Sequence, residues 1–298
     1  MGAAAPLTPD RVLRRLEWQV LRRLEGRLQG EHRTALRGHG TDYLDLRGYS
    51  DGDDIRHIDW NVTARMDELF VREYTEDREL TAWLLLDRSG SMGFGPTQRT
   101  KEHVLHEVTA VTAQLLARGG NRIGAIEYDN EHQHTVPPRQ GRDQVLVVLR
   151  ELLTPTTATG TGAVTDLGRL LDLAARTVRR RSLLVVVSDF ISDPGWERPL
   201  QRLAARHEVV AIRVCDRREI ELPDAGLIVV QDAETGEQLL VDTSDPELRR
   251  RLRQVADQRD GAIAEATARA GVDLHTISTE DDLLLAFVRL IESRRRRR

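Results

Sequence analysis

The chain has 298 residues, of which 40% are hydrophobic, 4% aromatic and 31% charged, and its formal net charge is −4. This length accommodates one large α/β domain with an appendage or two smaller domains, and the even mixture of charges excludes an intrinsically disordered chain. The negative balance gives no reason to expect nucleic acid as the main partner.

Cysteine usage and the length of the apolar runs predict a cytoplasmic protein. Cys215 is the single cysteine, which excludes an internal disulfide and a multi-cysteine metal site and favours a reducing compartment. The N-terminal residues lack an apolar stretch of signal-peptide length, and the runs near 82–86 and 183–187 are far shorter than the roughly 20 residues that cross a bilayer. We therefore expect no membrane span. Lys101 is the single lysine of this arginine-rich chain, which we interpret as genome base composition.

Residues 1–79 are expected to form a small N-terminal module. Residues 10–30 have the periodicity of an amphipathic helix, and short strand-like pieces occur at 43–46 and 69–74. The segment 47–65 mixes charged and aromatic residues, as interfaces do. A partner surface and an internal network of Asp–Arg pairs both agree with this pattern. The candidate residues are Arg47, Tyr49, Asp53, Asp54, Arg56, Asp59, Trp60 and Arg65.

From residue 80 onward, strand patterns alternate with helix patterns. Strands are predicted at 79–87, 122–129, 132–138, 182–189, 207–216 and 272–278, and helices at 99–118, 142–152, 166–180, 196–206, 245–270 and 280–293. This alternation predicts an α/β fold, with a mostly parallel sheet and helices on both faces. We expect this domain to span 80–293, with an inserted β-hairpin at about 216–245 and a basic tail at 294–298.

Oxygen-bearing side chains follow two of the predicted strands. Asp87, Ser89 and Ser91 follow the first strand, Asp189 follows a central strand, and Thr165 precedes a helix. Carboxyl ends of parallel strands meet at one edge of a sheet, so these oxygens can converge. A set of hard oxygen donors favours Mg²⁺ or Mn²⁺ over zinc. The competing interpretation makes Ser91 and Thr165 helix N-caps and Asp87 a turn residue.

The order of these residues resembles the metal-ion-dependent adhesion site of von Willebrand factor A domains. Asp87, Ser89, Ser91, Thr165 and Asp189 match that motif one by one, and the resemblance covers 80–293. It implies a von Willebrand factor A-like, Rossmann-like fold. Two positions depart from the motif. Its usual Gly-Gly-Thr is Ala163-Val164-Thr165 here, which leaves Thr161 as a rival ligand, and its usual glycine after the last aspartate is Phe190.

A second resemblance covers nearly the whole chain. The stretches "LRGYSDGDDIRHIDWNVTAR", "VREYTEDREL" and "DRSGSM" are similar to the bacterial family known as domain of unknown function fifty-eight. The resemblance implies a MoxR-type AAA+ ATPase as partner. We therefore expect a Mg²⁺-dependent interaction module, a partner or adaptor of such an ATPase in the assembly or maturation of protein complexes. The client is expected to offer an acidic residue to the metal, which keeps an exchangeable position.

The alternative is a metal-dependent hydrolase or phosphatase that uses the same strand-end site. A haloacid-dehalogenase-type phosphatase needs a second aspartate at the position of Ser89, and the chain contains neither a Gly-x-Ser-x-Gly elbow nor a P-loop. We therefore expect a binding protein rather than an enzyme. The histidine pairs His103/His106 and His132/His134 are expected to be solvated rather than metal ligands.

Overall fold

The computed structural model describes residues 43–50, 55, 58–66, 68–74, 80–96, 99–129, 132–154, 166–231 and 237–295. Predictions for other residues, among them the helix at 10–30, lie outside the described residues. The strands and helices in chain order are β1 (Tyr43–Gly48), α1 (Trp60–Met66), β2 (Phe70–Tyr74), β3 (Thr81–Asp87), α2 (Lys101–Arg118), β4 (Arg122–Tyr128), β5 (Gln133–Arg139), α3 (Arg142–Leu152), α4 (Leu167–Thr177), β6 (Leu183–Ser188), α5 (Glu197–Ala204), β7 (Glu208–Cys215), β8 (Leu227–Gln231), β9 (Gln238–Asp242), α6 (Pro246–Arg269), β10 (Asp273–Ser278) and α7 (Leu283–Arg295).

The described residues build one central sheet with the strand order β10-β7-β6-β3-β4-β5. Its strands are parallel except β5, which pairs antiparallel with β4 at the edge. Within this sheet the chain enters at β3 and continues through β4 to the edge strand β5. It then returns to β6 on the other side of β3 and continues through β7 to the opposite edge strand β10. This is the doubly wound order, whose direction reverses between β3 and β6. The predicted α/β fold with a mostly parallel sheet is confirmed.

The two central strands are apolar because helices cover both faces of the sheet. Side chains of β3 alternate between two cores, with Leu84 and Leu86 on one side and Trp83 and Leu85 on the other. Helices α2, α3 and α7 pack against the first side, and α4, α5 and part of α6 against the second. This rigid double layer fixes the positions of the loops at the carboxyl ends of β3 and β6.

Two small sheets lie outside the central one. β1 and β2 pair antiparallel, and β8 and β9 form the predicted hairpin. Helix α7 continues to Arg295, so the predicted basic tail at 294–298 begins within a helix. Among the described helices, none is both long and apolar enough to cross a membrane.

Candidate metal centre

The reversal between β3 and β6 brings two aspartates to one edge of the sheet. Asp87 is the last residue of β3, and Asp189 directly follows Ser188, the last residue of β6. Ligands of open α/β sheets bind at such a point, because the loops diverge there and leave a crevice. Both carboxylates are buried. The structure thus brings together the two acidic residues of the predicted metal set.

Asp87 is held by hydrogen bonds to both carboxylate oxygens. The Ser188 hydroxyl donates to Oδ2 at 2.6 Å, and the Ser89 backbone N–H donates to Oδ1 at 3.0 Å. Burial, followed by the charge of Asp189, raises the pKa of Asp87 to about 6, although both hydrogen bonds act in the opposite direction. A bound cation would relieve the repulsion between these two carboxylates.

The two serines lie beside each other in the loop after β3. Their Oγ atoms are 3.1 Å apart, and Ser91 belongs to a short 3₁₀ turn, Gly90–Gly93. Ser91 does not cap helix α2. That helix is capped by Thr100, whose Oγ1 accepts from the His103 backbone N–H. The capping interpretation of Ser91 is therefore wrong, and its hydroxyl is left for another role.

Asp189 carries a contact that the sequence did not predict. Its Oδ1 accepts from the Ile191 backbone N–H at 2.9 Å, and its Oδ2 accepts from Lys101 Nζ at 2.7 Å. Lys101 Nζ also donates to Glu219 Oε1 at 2.5 Å. The lysine is fully buried. Burial alone would lower its pKa, but the charges of Asp189 and Glu219 outweigh that effect and raise it.

The departure at Phe190 has a backbone explanation. Phe190 has a φ of 59°, in the left-handed region that glycine adopts without strain. Its ring is buried and meets Trp196 edge-to-face, with ring centroids 5.4 Å apart. Such a backbone costs on the order of 1 kcal/mol or more, and burial of the ring offsets it. Phe190 therefore adopts the backbone conformation of the usual glycine, and its ring adds buried apolar surface next to Asp189.

The remaining predicted ligands lie outside the described residues. These are Thr165 and its rival Thr161. Helix α4 is capped by Asp166, whose Oδ1 accepts from the Arg169 backbone N–H at 3.1 Å. Asp166, rather than Thr165, is therefore the helix N-cap.

The donor set fits a hard divalent cation by charge and chemistry. Asp87, Asp189 and Glu219 carry three negative charges against the single positive charge of Lys101, which leaves a formal charge of −2 in a buried cluster. Hydroxyls and carboxylates are the ligands that Mg²⁺ accepts, with waters completing its shell. Within the described ranges no group of three His, Cys, Asp or Glu side chains is placed to hold a metal. The site therefore depends on its serine hydroxyls.

The predicted partner residues of the N-terminal segment are divided between interior and surface. Asp59 is buried, and its Oδ1 accepts from the Val62 backbone N–H at 3.2 Å at the start of α1. Trp60 is 66% exposed and Arg65 is also exposed. Tyr49 is half-buried, and its backbone N–H donates to the Leu69 carbonyl. Outside the described residues lie Asp53, Asp54, Arg56 and the side chain of Arg47.

The histidine prediction holds for one pair and fails in the other. The side chains of His132 and His134 are 62% and 55% exposed. The side chain of His106 is only 12% exposed, and it lies near Arg88 and the backbone of Leu152 at the end of α3. Burial, with the nearby charge of Arg88, lowers the pKa of His106 to about 4. Its expected solvation is therefore wrong.

Comparison with known families agrees with the chain-wide resemblance. The family model described as protein of unknown function DUF58 matches residues 45–261. This chain belongs to the DUF58 family. A relative of this DUF58 chain, the uncharacterized protein Rv1480 of Mycobacterium tuberculosis, is 39% identical over 285 residues, which are 95% of this chain and 89% of the relative. The uncharacterized protein YeaD of Bacillus subtilis is 30% identical over 117 residues, 38% of this chain and 26% of that protein.

Two solved structures are similar to this DUF58 chain at low sequence identity. BatB from Bacteroides thetaiotaomicron has a TM-score of 0.48 at 14% identity, covering 73% of this chain and 99% of that one. The SpRpn10 VWA domain has a TM-score of 0.38 at 14% identity, covering 72% and 95%. We assign the fold from the strand order of this chain itself.

Proposed function

We propose that this DUF58 protein is a Mg²⁺-dependent protein-interaction module, a partner or adaptor of a MoxR-type AAA+ ATPase in the assembly or maturation of protein complexes. The observation that supports it is the convergence of Asp87, Ser89, Ser91 and Asp189 at the switch point of the sheet, around a buried cluster with a formal charge of −2. Thr165 belongs to the proposed ligand set. The MoxR-type partner is taken from the family resemblance.

The protein's own residues would prepare this site before an ion arrives. Ser188 orients Asp87 through a 2.6 Å hydrogen bond, and Lys101 fixes Asp189. Bound Mg²⁺ or Mn²⁺ would supply an exchangeable position for a partner's carboxylate. That carboxylate would then escape the penalty of an unpaired buried charge, and the gain in affinity would be modest because Mg²⁺ gives up its waters reluctantly.

A binding role fits the contacts better than hydrolysis does. Among the described residues of the site, Ser89 and Ser91 hydrogen-bond to each other, and the Lys101 ammonium is held by two carboxylates. A hydrolase would need a nucleophile beside a general base that is free to take its proton. We therefore propose a non-enzymatic module.

Calorimetric titration with Mg²⁺ and Mn²⁺ tests the metal site. Asp87→Asn and Asp189→Asn should each weaken binding about tenfold or more, because each removes one charged ligand. Asparagine is chosen at 189 because alanine would leave the Lys101 ammonium with one partner fewer. Asp193→Asn is the matched control, since Asp193 lies in the same loop but is exposed. Wild-type affinity in both site variants would remove the metal assignment.

Two further measurements separate binding from catalysis. A MoxR-type ATPase from the same genome should co-purify with the wild-type chain in Mg²⁺ and be released by EDTA, and Asp87→Asn should reproduce that release. Assays with ATP and p-nitrophenyl phosphate should show no turnover. Turnover that disappears in Asp87→Asn would replace the binding proposal with the hydrolase.

A further inference from the structure

An arginine-lined cavity lies where the chain leaves the sheet after β7. Its volume is about 590 Å³, between the segment that follows β7 and the first turns of α6. This is the size of pockets that hold small ligands or short peptide segments. The positive lining is formed by Arg217, Arg218, Arg249, Arg250 and Arg253.

The positive charge of this cavity is only partly neutralised from within. Three acids share the lining, Glu221, Asp224 and Glu280. Glu221 pairs with both Arg217 and Arg253, and Asp224 reaches Arg249 only at 3.7 Å. The Nε of Arg249 is buried and has no hydrogen-bond acceptor in the described part of the chain. Among the described lining residues, five arginines face three carboxylates, a formal excess of +2. Glu247, outside the lining, offsets one of these charges through its contact with Arg250 at 2.6 Å, so at least +1 remains for an incoming anion.

The cavity is joined to the metal centre through two ion pairs. Arg217 and Arg218 belong to a short turn, Arg217–Glu219, that ends in the acid bound to Lys101. Lys101 Nζ lies 2.5 Å from Glu219 Oε1 and 2.7 Å from Asp189 Oδ2. The buried lysine thus ties the cavity wall to a carboxylate of the candidate metal site.

A β-hairpin with exposed apolar side chains follows the first group of cavity residues in the chain. The β8–β9 hairpin begins right after the cavity residue Asp224, and its base is closed by Thr243, whose Oγ1 accepts from the Ala225 backbone N–H. Val229 and Leu240 pair across the hairpin and are 61% and 65% exposed. A segment that lies along both surfaces would need carboxylates next to apolar side chains.

We propose that the arginine-lined cavity binds an acidic, Leu-containing peptide segment of the protein partner, with its carboxylates on Arg249 and Arg250 and its apolar side chains on the hairpin. The inference rests on the proposed function only in assigning cavity and metal site to the same partner. Two features disfavour nucleic acid, which needs dense positive charge and stacking surfaces. The cavity wall contains three carboxylates, and none of its described lining residues is aromatic.

Fluorescence anisotropy with fluorescein-labelled 12-residue peptides tests the proposal. The three peptides contain Gly and Leu and differ only at four positions, which are all Glu, all Gln or all Lys. A single-stranded DNA 12-mer serves as an anion of a different class. The Glu peptide should bind at least tenfold more tightly than the others. Arg249→Ala and Arg250→Ala should each weaken binding of the Glu peptide about fivefold to tenfold, the usual effect of losing a charge-assisted hydrogen bond. Leu240→Gln, which removes an apolar contact of the hairpin, should also weaken binding of this peptide.

Arg251→Ala is the matched control. Arg250 and Arg251 are both 73% exposed and both pair with Glu247, but only Arg250 lines the cavity. Arg251→Ala should therefore change the affinity by less than about twofold. Equal losses in both variants, an undetectable Glu peptide complex, or DNA binding as tight as the Glu peptide would each overturn the proposal. Loss of peptide binding in Arg249→Ala, together with ATPase co-purification that neither EDTA nor Asp87→Asn changes, would support the cavity and overturn the metal-dependent function.

Discussion

At the scale of single residues, Lys101 determines how the carboxylates of the candidate metal site are held by the protein itself. Taking an ammonium out of water is costly unless hydrogen-bonded charges surround it. Asp189 and Glu219 supply two such partners at 2.7 and 2.5 Å. One carboxylate of the site therefore has a permanent counter-ion within the fold, while Asp87 depends on hydrogen bonds alone.

Lys101→Met should destabilise the protein by about 3 kcal/mol, the lower end for a broken buried ion pair, because Glu219 lies near the surface and can turn towards water. Urea unfolding followed by circular dichroism measures the change. Lys101→Met combined with Glu219→Gln should recover part of the loss, since it removes one of the two stranded charges. Unchanged stability in the single variant would mean that the pair contributes nothing net.

The positions of residues at the sheet edge were predictable where the signal is local and not where it is distant. Asp87, Ser89 and Ser91 lie within one short stretch, and Asp189 follows an unmistakable buried strand. The bond between Lys101 and Glu219 joins residues 118 positions apart, so no local pattern contains it. The available signal was the single lysine of the chain, which genome base composition also explains. His106 was misplaced because α2 is buried on most of its circumference.

At the scale of elements, alternating patterns predicted the strands and helices of the sheet, and the order of the strands had to come from the structure. Periodicity reports which faces of an element are covered but not by which neighbour. Two exposed apolar strands, β8 and β9, were predicted as a hairpin from the Thr-Gly turn between them. Their separation from the central sheet is a tertiary property that the turn does not encode.

Close approach between β3 and β4 depends on Gly124. A Cβ added there would lie 2.8 Å from the ring of Trp83 and 2.9 Å from the carbonyl oxygen of Val136. Gly124→Ala should therefore destabilise the protein by about 1–3 kcal/mol, since neither neighbour can move freely. Gly261→Ala is the matched control in α6, where the added Cβ meets nothing within 4 Å. It should stabilise the protein by about 0.5–1 kcal/mol through helix propensity. Melting curves of both variants measure these changes in stability. Equal effects of Gly124→Ala and Gly261→Ala would contradict the packing argument.

At the scale of the whole molecule, His106 links stability to pH. Its pKa is about 4 in the folded protein and 6.5 in a model peptide, so between these values the unfolded chain binds a proton that the folded one does not. Stability should therefore fall as the pH decreases from 6.5 towards 4, by about 2 kcal/mol between pH 7 and pH 5 from this group. Arg88, His103 and Glu102 surround the ring, and the first two oppose its protonation.

Comparing urea unfolding at pH 7 and pH 5 measures this dependence. His106→Gln should remove about 2 kcal/mol of the difference between the two pH values, because the ring no longer takes up a proton on unfolding. His132→Gln, at an exposed histidine, should leave the difference intact. A pH dependence in His106→Gln equal to that of the wild type would show that other groups cause it.

Burial of the chain's single lysine also determines its covalent chemistry. The surface offers no ε-amino group, because Lys101 is fully buried. Acylating labels, amine-directed cross-linkers and enzymes that modify lysine therefore cannot reach it in the closed structure. Modification at Lys101 requires the junction between α2, the loop after β6 and the turn at Glu219 to open first. The yield of acylated lysine therefore measures how often the candidate metal site opens. Local opening of this kind requires less free energy than global unfolding.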